Sequence, residues 1–224
     1  TDQAISSAAS GSVIVQGGVN SKVTSLTIGS DYYVQTDGTL NTATSAVNYD
    51  IANASYTQAF SVSAQVTFPS GVAFNPTGTK MFVVDNTGDD VNEYTLSTGF
   101  DVSTASFVDS FSVNAQQAAP MSVAFNTDGT KMYIVGETED TVAQYALSTG
   151  FDVSSASFTQ AFSIAAQETE AQGITFNPTG TKMFIVGDTG NDIGEYTLSS
   201  GFDVSTASFV DSFSFATQST QPKE

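Results

Sequence analysis

The 224-residue chain contains no histidine, no cysteine and no tryptophan. Its five basic residues are Lys22, Lys80, Lys131, Lys182 and Lys223, so it has no arginine either. Each absence removes a class of chemistry. Without histidine and cysteine there is no imidazole base, thiol nucleophile, Ser-His-Asp triad or His/Cys metal site. The missing cysteines also remove disulfides, which leaves the compartment open. Twenty-three acidic residues against five lysines give a formal charge of −18. That balance excludes nucleic acid as a partner, because phosphates need basic groups to neutralise them. It also opposes docking on an anionic membrane. No apolar run approaches the roughly 20 residues of a spanning helix, so membrane insertion is not expected. Residues 1–18 lack a charged start and a continuous apolar stretch, and no signal peptide is read there. The chain opens at Thr1, as a processed chain or a piece of a longer one would.

What is present points to β-structure. Hydrophobic residues make up 40% of the chain, with 17 Phe and 8 Tyr, enough to build a core. Only 12% of residues are charged, and Thr, Ser, Gly and Asn supply the remaining polarity. Abundant β-branched and aromatic residues fit strands.

An internal repeat organises the sequence. Ala-Ser-aromatic stands at 54–56, 105–107, 156–158 and 207–209, each 51 residues after the last. The same spacing relates Lys80, Lys131 and Lys182, and also Asp50, Asp101, Asp152 and Asp203. In the first full copy, Gly71–Phe74 is a short apolar run. Asn75-Pro76-Thr77-Gly78 is a turn, with Gly78 at the left-handed position. Lys80–Asp85 reads as a buried strand, and Val91–Leu96 alternates apolar and polar residues like a half-buried one. A fourth strand is expected over Ser106–Val113. No segment holds a 3.6-residue period, so almost no helix is expected. The domain reading is an N-terminal β module over 1–53, repeats over 54–104, 105–155 and 156–206, a partial repeat over 207–218, and a tail over 219–224. Residues 1–53 are either a degenerate first blade or an assembly segment.

The fold class expected is therefore all-β, built from four-stranded antiparallel blades in the manner of a β-propeller. The Phe-Asn-Pro-x-Gly-Thr-Lys-Met-aromatic pattern at Phe74–Val83, Phe125–Ile134 and Phe176–Ile185 resembles lactonase and YVTN-type propeller repeats over residues 54–218. A second resemblance lies at Val23–Leu40, where Leu26-Thr27-Ile28-Gly29 leads into Tyr32-Tyr33-Val34-Gln35-Thr36-Asp37-Gly38. This stretch is similar to modules of bacteriophage tail fibres and appendages. It implies a homo-oligomer assembled with other virion proteins, located at the virion surface or extracellularly and touching a host surface glycan.

Candidate site residues lie in the acidic loops between second and third strands: Asp85, Asp89 and Asp90; Glu137, Glu139 and Asp140; Asp188 and Asp192. Dense carboxylates beside glycine can hold Ca²⁺, which takes 6–8 oxygens at about 2.3–2.6 Å. The competing reading is a solvated acidic rim. Lys80, Lys131 and Lys182 form either an anion-binding ring or structural pairs with Glu93 and Glu195, the middle repeat having Gln144 instead. Asp101, Asp152 and Asp203 read as Asx turns. Tyr32, Tyr33, Tyr49 and Tyr56 could stack on a sugar or pack in a core. The recurring Phe60, Phe111, Phe162 and Phe213, with Phe74, Phe125 and Phe176, read as inter-blade core. First strands facing a ring centre carry no acid, which counts against a metal-dependent lactonase. The leading expectation is thus a non-enzymatic structural or adhesive protein of a phage-like virion, with no catalytic residues and no cofactor beyond calcium. A secreted calcium-binding propeller adhesin of a marine bacterium is the alternative, and a lactonase-like enzyme is the third.

Overall fold

The computed structural model describes residues 13–15, 18–20, 33–34, 40–41 and 54–216. The chain falls into two units, Thr1–Thr57 and Gln58–Glu224. In the first, β1 (Val13–Val15) pairs antiparallel with β2 (Gly18–Asn20), and β3 (Tyr33–Val34) with β4 (Leu40–Asn41). Apart from β3 and the first residue of β4, the appendage-like stretch 23–40 lies outside the described residues. Tyr32, Tyr49 and Asp50 lie outside them as well.

The second unit holds three four-stranded sheets in which consecutive strands are neighbours. Blade one is β5 (Pro69–Phe74), β6 (Lys80–Asp85), β7 (Asp90–Leu96) and β8 (Ala105–Ser112). Blade two is β9 (Pro120–Phe125), β10 (Lys131–Gly136), β11 (Thr141–Leu147) and β12 (Ala156–Ser163). Blade three is β13 (Ala171–Phe176), β14 (Lys182–Gly187), β15 (Asp192–Leu198) and β16 (Ala207–Ser214). All pairings are antiparallel, as short connections require. This is the all-β, propeller-type blade repeat that the period implies.

Turn chemistry fixes each blade. Asn75 accepts at its carbonyl from Gly78 N–H (2.9 Å) and at its side chain from Lys80 N–H (3.0 Å). Gly78 sits at φ +68°, where a side chain is strained. The third link differs from a plain turn. Phe100, Phe151 and Phe202 adopt φ near +60° without being glycine. Each ring packs over the glycine of the first turn so closely that a Cβ on Gly78 would lie 2.3 Å from Phe100 Cδ2. A short 3₁₀ turn follows in each blade, at Val102–Thr104, Val153–Ser155 and Val204–Thr206. These are the only helical turns among the described residues.

The blades stack by their faces, with the first strands β5, β9 and β13 side by side. Between blades one and two lie Phe82, Val84 and Val91 against Met132, Ile134 and Tyr145. Between two and three lie Tyr133, Val135 and Val142 against Met183, Ile185 and Tyr196. Phe111 meets Tyr145 edge-on at 5.6 Å and Phe162 meets Tyr196 at 5.9 Å, as the inter-blade reading of these phenylalanines requires. Phe213 departs from it and is 72% exposed, because no blade among the described residues follows. The three sheets thus do not close on one another.

Candidate functional site

Among the described residues the carboxylates of the acidic loops lie apart rather than in one cluster. Asp85 is buried, and its carboxylate accepts from the backbone N–H groups of Thr67 (2.6 Å), Phe68 (2.9 Å) and Thr87 (3.1 Å). Burial pushes this acid up, but those N–H groups together with that of Gly88 outweigh it and hold it below the usual range. Asp89 accepts from Asn114 and from Ala119 N–H, and Asp90 from Asn92. Desolvation raises Asp90 above the usual range, and Asp85 and Asp89 add to that. Glu137 accepts from Gln172 at 2.8 Å. Glu139, Asp140, Asp188 and Asp192 lie in the corresponding loops of blades two and three, with Asp192 opening β15. No three Asp or Glu side chains converge on a metal-sized space among the described residues. Asp85, Asp89, Asp90 and Glu137 thus staple loops, whereas Glu139 Oε2 and Asp188 Oδ1 are buried without a partner among the described residues, and calcium rests on composition alone.

The lysines and capping aspartates are architectural. Lys80 pairs with the buried Glu93 (2.6 Å) and donates to the carbonyl of Phe151 (2.6 Å). Lys131, facing Gln144 instead of an acid, donates to the carbonyl of Phe202 (2.7 Å). Lys182 pairs with Glu195 (2.5 Å) at the surface. Asp101, Asp152 and Asp203 each accept from a serine N–H two residues on, at 3.1 Å, capping the 3₁₀ turns. Tyr56 is 83% exposed. Tyr133 donates to the Phe202 carbonyl (2.7 Å), and burial raises its hydroxyl far above its usual value.

A further concave feature lies where the loop chemistry did not mark it. The three inner strands and the turns after them enclose an open cavity of about 390 Å³. Each blade contributes the same elements: Phe74, Phe125 and Phe176 at strand ends, then the residues of the Asn-x-x-Gly turns. Val123, Ile174 and Phe151 line it as well, and no lining residue is charged. Asn126 and Asn177 are already committed to their turns, through Lys131 N–H (2.9 Å) and Lys182 N–H (3.0 Å). The lining therefore offers aromatic faces, aliphatic side chains and a few neutral donors and acceptors, among them the hydroxyl of Thr175, while that of Thr127 donates to the Pro178 carbonyl (3.4 Å). The sequence carried one signal for it, the recurrence of Phe-Asn at 74, 125 and 176. Those rings serve the cavity and the blade contacts together.

A stack of four-stranded antiparallel blades around a row of inner strands defines a β-propeller-type protein. No protein-family model matches the chain, and no curated protein matches it. Among solved structures it is similar to the periplasmic gluconolactonase of Pseudomonas aeruginosa, at 20% identity and TM-score 0.49, covering 86% of this chain and 51% of that one. It is also similar to a candidate 6-phosphogluconolactonase of Bacteroides uniformis, at 15% identity and TM-score 0.49, covering 81% and 50%. A third is the Swd1 propeller domain of Myceliophteria thermophila, at 9% identity and TM-score 0.45, covering 66% and 43%. The chain spans about half the length of the first two.

These findings correct the expectation of a non-enzymatic virion appendage, and with it the viral, bacteriophage, tail-fibre and adhesion assignments. The similar structures are propellers, two of them bearing lactonase names, and none of the three is a tail fibre. The virion expectation came from the likeness at Val23–Leu40, most of which lies outside the described residues, and an acidic, cysteine-free, Thr/Ser/Gly-rich composition describes β-repeats in general. Such a composition constrains solvent exposure and strand formation, not the chemistry of a site.

Proposed function

We propose that the chain takes a small, neutral, ring-shaped ligand of the sugar-lactone class into the inner-strand cavity. One observation carries this reading: three blades converge on a cavity without a charged lining residue in a chain of charge −18. Such a lining favours a ligand that keeps an apolar face and a few hydroxyl or carbonyl groups. It gives an anion nothing to pair with, and the surrounding field repels one. A phosphorylated sugar is therefore disfavoured relative to its neutral parent.

The test is titration calorimetry with a neutral sugar lactone, its 6-phosphate and the open-chain acid, with the hydrolysis rate of each lactone recorded in parallel. Saturable binding of the neutral lactone is expected, weakened at least tenfold by the phosphate. Thr127→Trp, which crowds the rim from an exposed turn and gives up a 3.4 Å bond to the Pro178 carbonyl, should abolish it while lowering the unfolding midpoint only slightly. Equal or tighter binding of the phosphate, or no saturable binding of the neutral form, overturns the reading.

A further inference from the structure

The two ends of the blade stack carry the two halves of one contact, open on blade three and covered in part on blade one by Phe60, Val62 and Val66. On the face that each blade turns toward the next, Phe82, Val84 and Val91 of blade one are 0% exposed, as are Tyr133, Val135 and Val142 of blade two. At the same register positions of blade three, Phe184 and Val186 are half-buried, while Ile193 is 38% and Phe213 72% exposed. The opposite face of blade one is open only in part: Met81, Val83, Tyr94 and Leu96 are buried against Phe60, Val62 and Val66, and its remaining positions show the complement. Val123 and Ile174, which press on the preceding blade, are 3% and 5% exposed, whereas Val72 is 53% exposed. Phe151 and Phe202 are half-buried, and their counterpart Phe100 is 61% exposed.

The polar contacts repeat the pattern. At the first junction Lys80 donates to the Phe151 carbonyl and Glu93 accepts from Val153 N–H (3.0 Å). At the second, Lys131 donates to the Phe202 carbonyl and Gln144 accepts from Val204 N–H (3.1 Å). The same step from blade three would carry Lys182 and Glu195 to a phenylalanine carbonyl and a valine N–H beyond it. Phe100 and Val102 are those groups on blade one.

We infer that blade three docks on blade one of a second copy, so that two copies close a six-bladed ring through two identical junctions. Apolar faces alone would not name the occupant. Here the matching lysine, glutamate, carbonyl and N–H select this chain's own first blade. The blade count selects two copies: propellers hold about 4–8 blades, so three is too few and nine too many. Both contacts then close under a twofold axis and leave no growing end.

One segment must yield. Phe60 lies 5.8 Å edge-on from Tyr94, much as Phe111 lies 5.6 Å from Tyr145, so residues 58–66 occupy the outer-strand place of a preceding blade. In the ring that place belongs to the partner's β16. β16 is paired with β15 along its length, whereas residues 54–61 form no strand. The 58–66 segment is therefore the one displaced.

Sedimentation equilibrium of the full chain tests this. The expected mass is twice 23.3 kDa, dissociating on dilution. The double variant Ile193→Asp, Phe213→Asp should give the single-chain mass with an unchanged unfolding midpoint in dilute solution. Val108→Asp, an equally exposed site outside the face, should leave the mass doubled. Phe60→Asp, which unseats the displaced segment, should strengthen association. A single-chain mass at all concentrations, a mass that grows without limit, or a dimer that survives the double variant overturns the inference.

Discussion

Gly78, Gly129 and Gly180 hold left-handed backbone directly beneath a phenylalanine ring that is itself left-handed. Gly129→Ala should therefore lose about 1–3 kcal/mol, from the φ strain and the clash with Phe151. Urea unfolding measures it, and an unchanged midpoint would mean the ring moves freely. The glycine was legible in the Asn-x-x-Gly turn, because local sterics dictate it. The left-handed phenylalanines were not, because their conformation is stabilised by the seat on a glycine 22 residues earlier. Acid response belongs to this scale too. Asp85 is held below its ordinary value of 3.8, so its contribution is complete above that pH and is lost as pH falls through the folded value. Asp203 behaves alike, held down by the Ser205 hydroxyl and Gln160. Asp90, raised by burial, acts in the opposite sense and gains stability on acidification. The melting midpoint should fall below about pH 3.8, and Asp85→Asn should show a shallower fall from a lower neutral-pH midpoint. Identical acid profiles for the two proteins would remove Asp85 from the account.

Strands with the same sequence role differ in energy according to what covers them. Glu93 is 2% exposed, paired with Lys80 and bonded to a neighbouring blade. Removing it strands a cation and an N–H group, so Glu93→Ala should cost about 3–5 kcal/mol. Glu195 holds the same register position at an uncovered face, and Glu195→Ala in dilute solution should cost about 0–1 kcal/mol. Chemical denaturation of the pair checks the contrast, and similar losses would refute it. Phe125 packs 4.4 Å from Phe82 and 5.5 Å from Phe151 while half-open to the cavity. Phe125→Ala should therefore sit at the low end for such a change, about 3 kcal/mol. The strands and turns were legible because alternation and turn residues are local signals. A loop exchange was not. Asp85 of blade one is replaced by Gly187 in blade three, where Glu168 reaches in from the other side to bond Thr189 and Gly190 N–H groups. One polar place is filled from two different chain positions, which only tertiary proximity reveals.

At the scale of the molecule, a charge of −18 acts against compactness. Salt screens that repulsion over a Debye length of about 10 Å at 0.1 M, so the melting midpoint should rise between low and moderate ionic strength. A falling midpoint would mean that the lysine pairs outweigh the repulsion. The cavity belongs to this scale as well. Its phenylalanines were visible as a recurrence, but a concavity exists only once three inner strands stand side by side. By itself the sequence determined the period, the strand positions, the turn glycines and the absence of thiol and imidazole chemistry, since these follow from local sterics and from which side chains are present. Tertiary structure decided which faces are covered, which acids are stapled to backbone and where an uncharged hollow forms. Burial is set by neighbours in space, and a repeated sequence gives the same residue a different neighbour at each end of the stack.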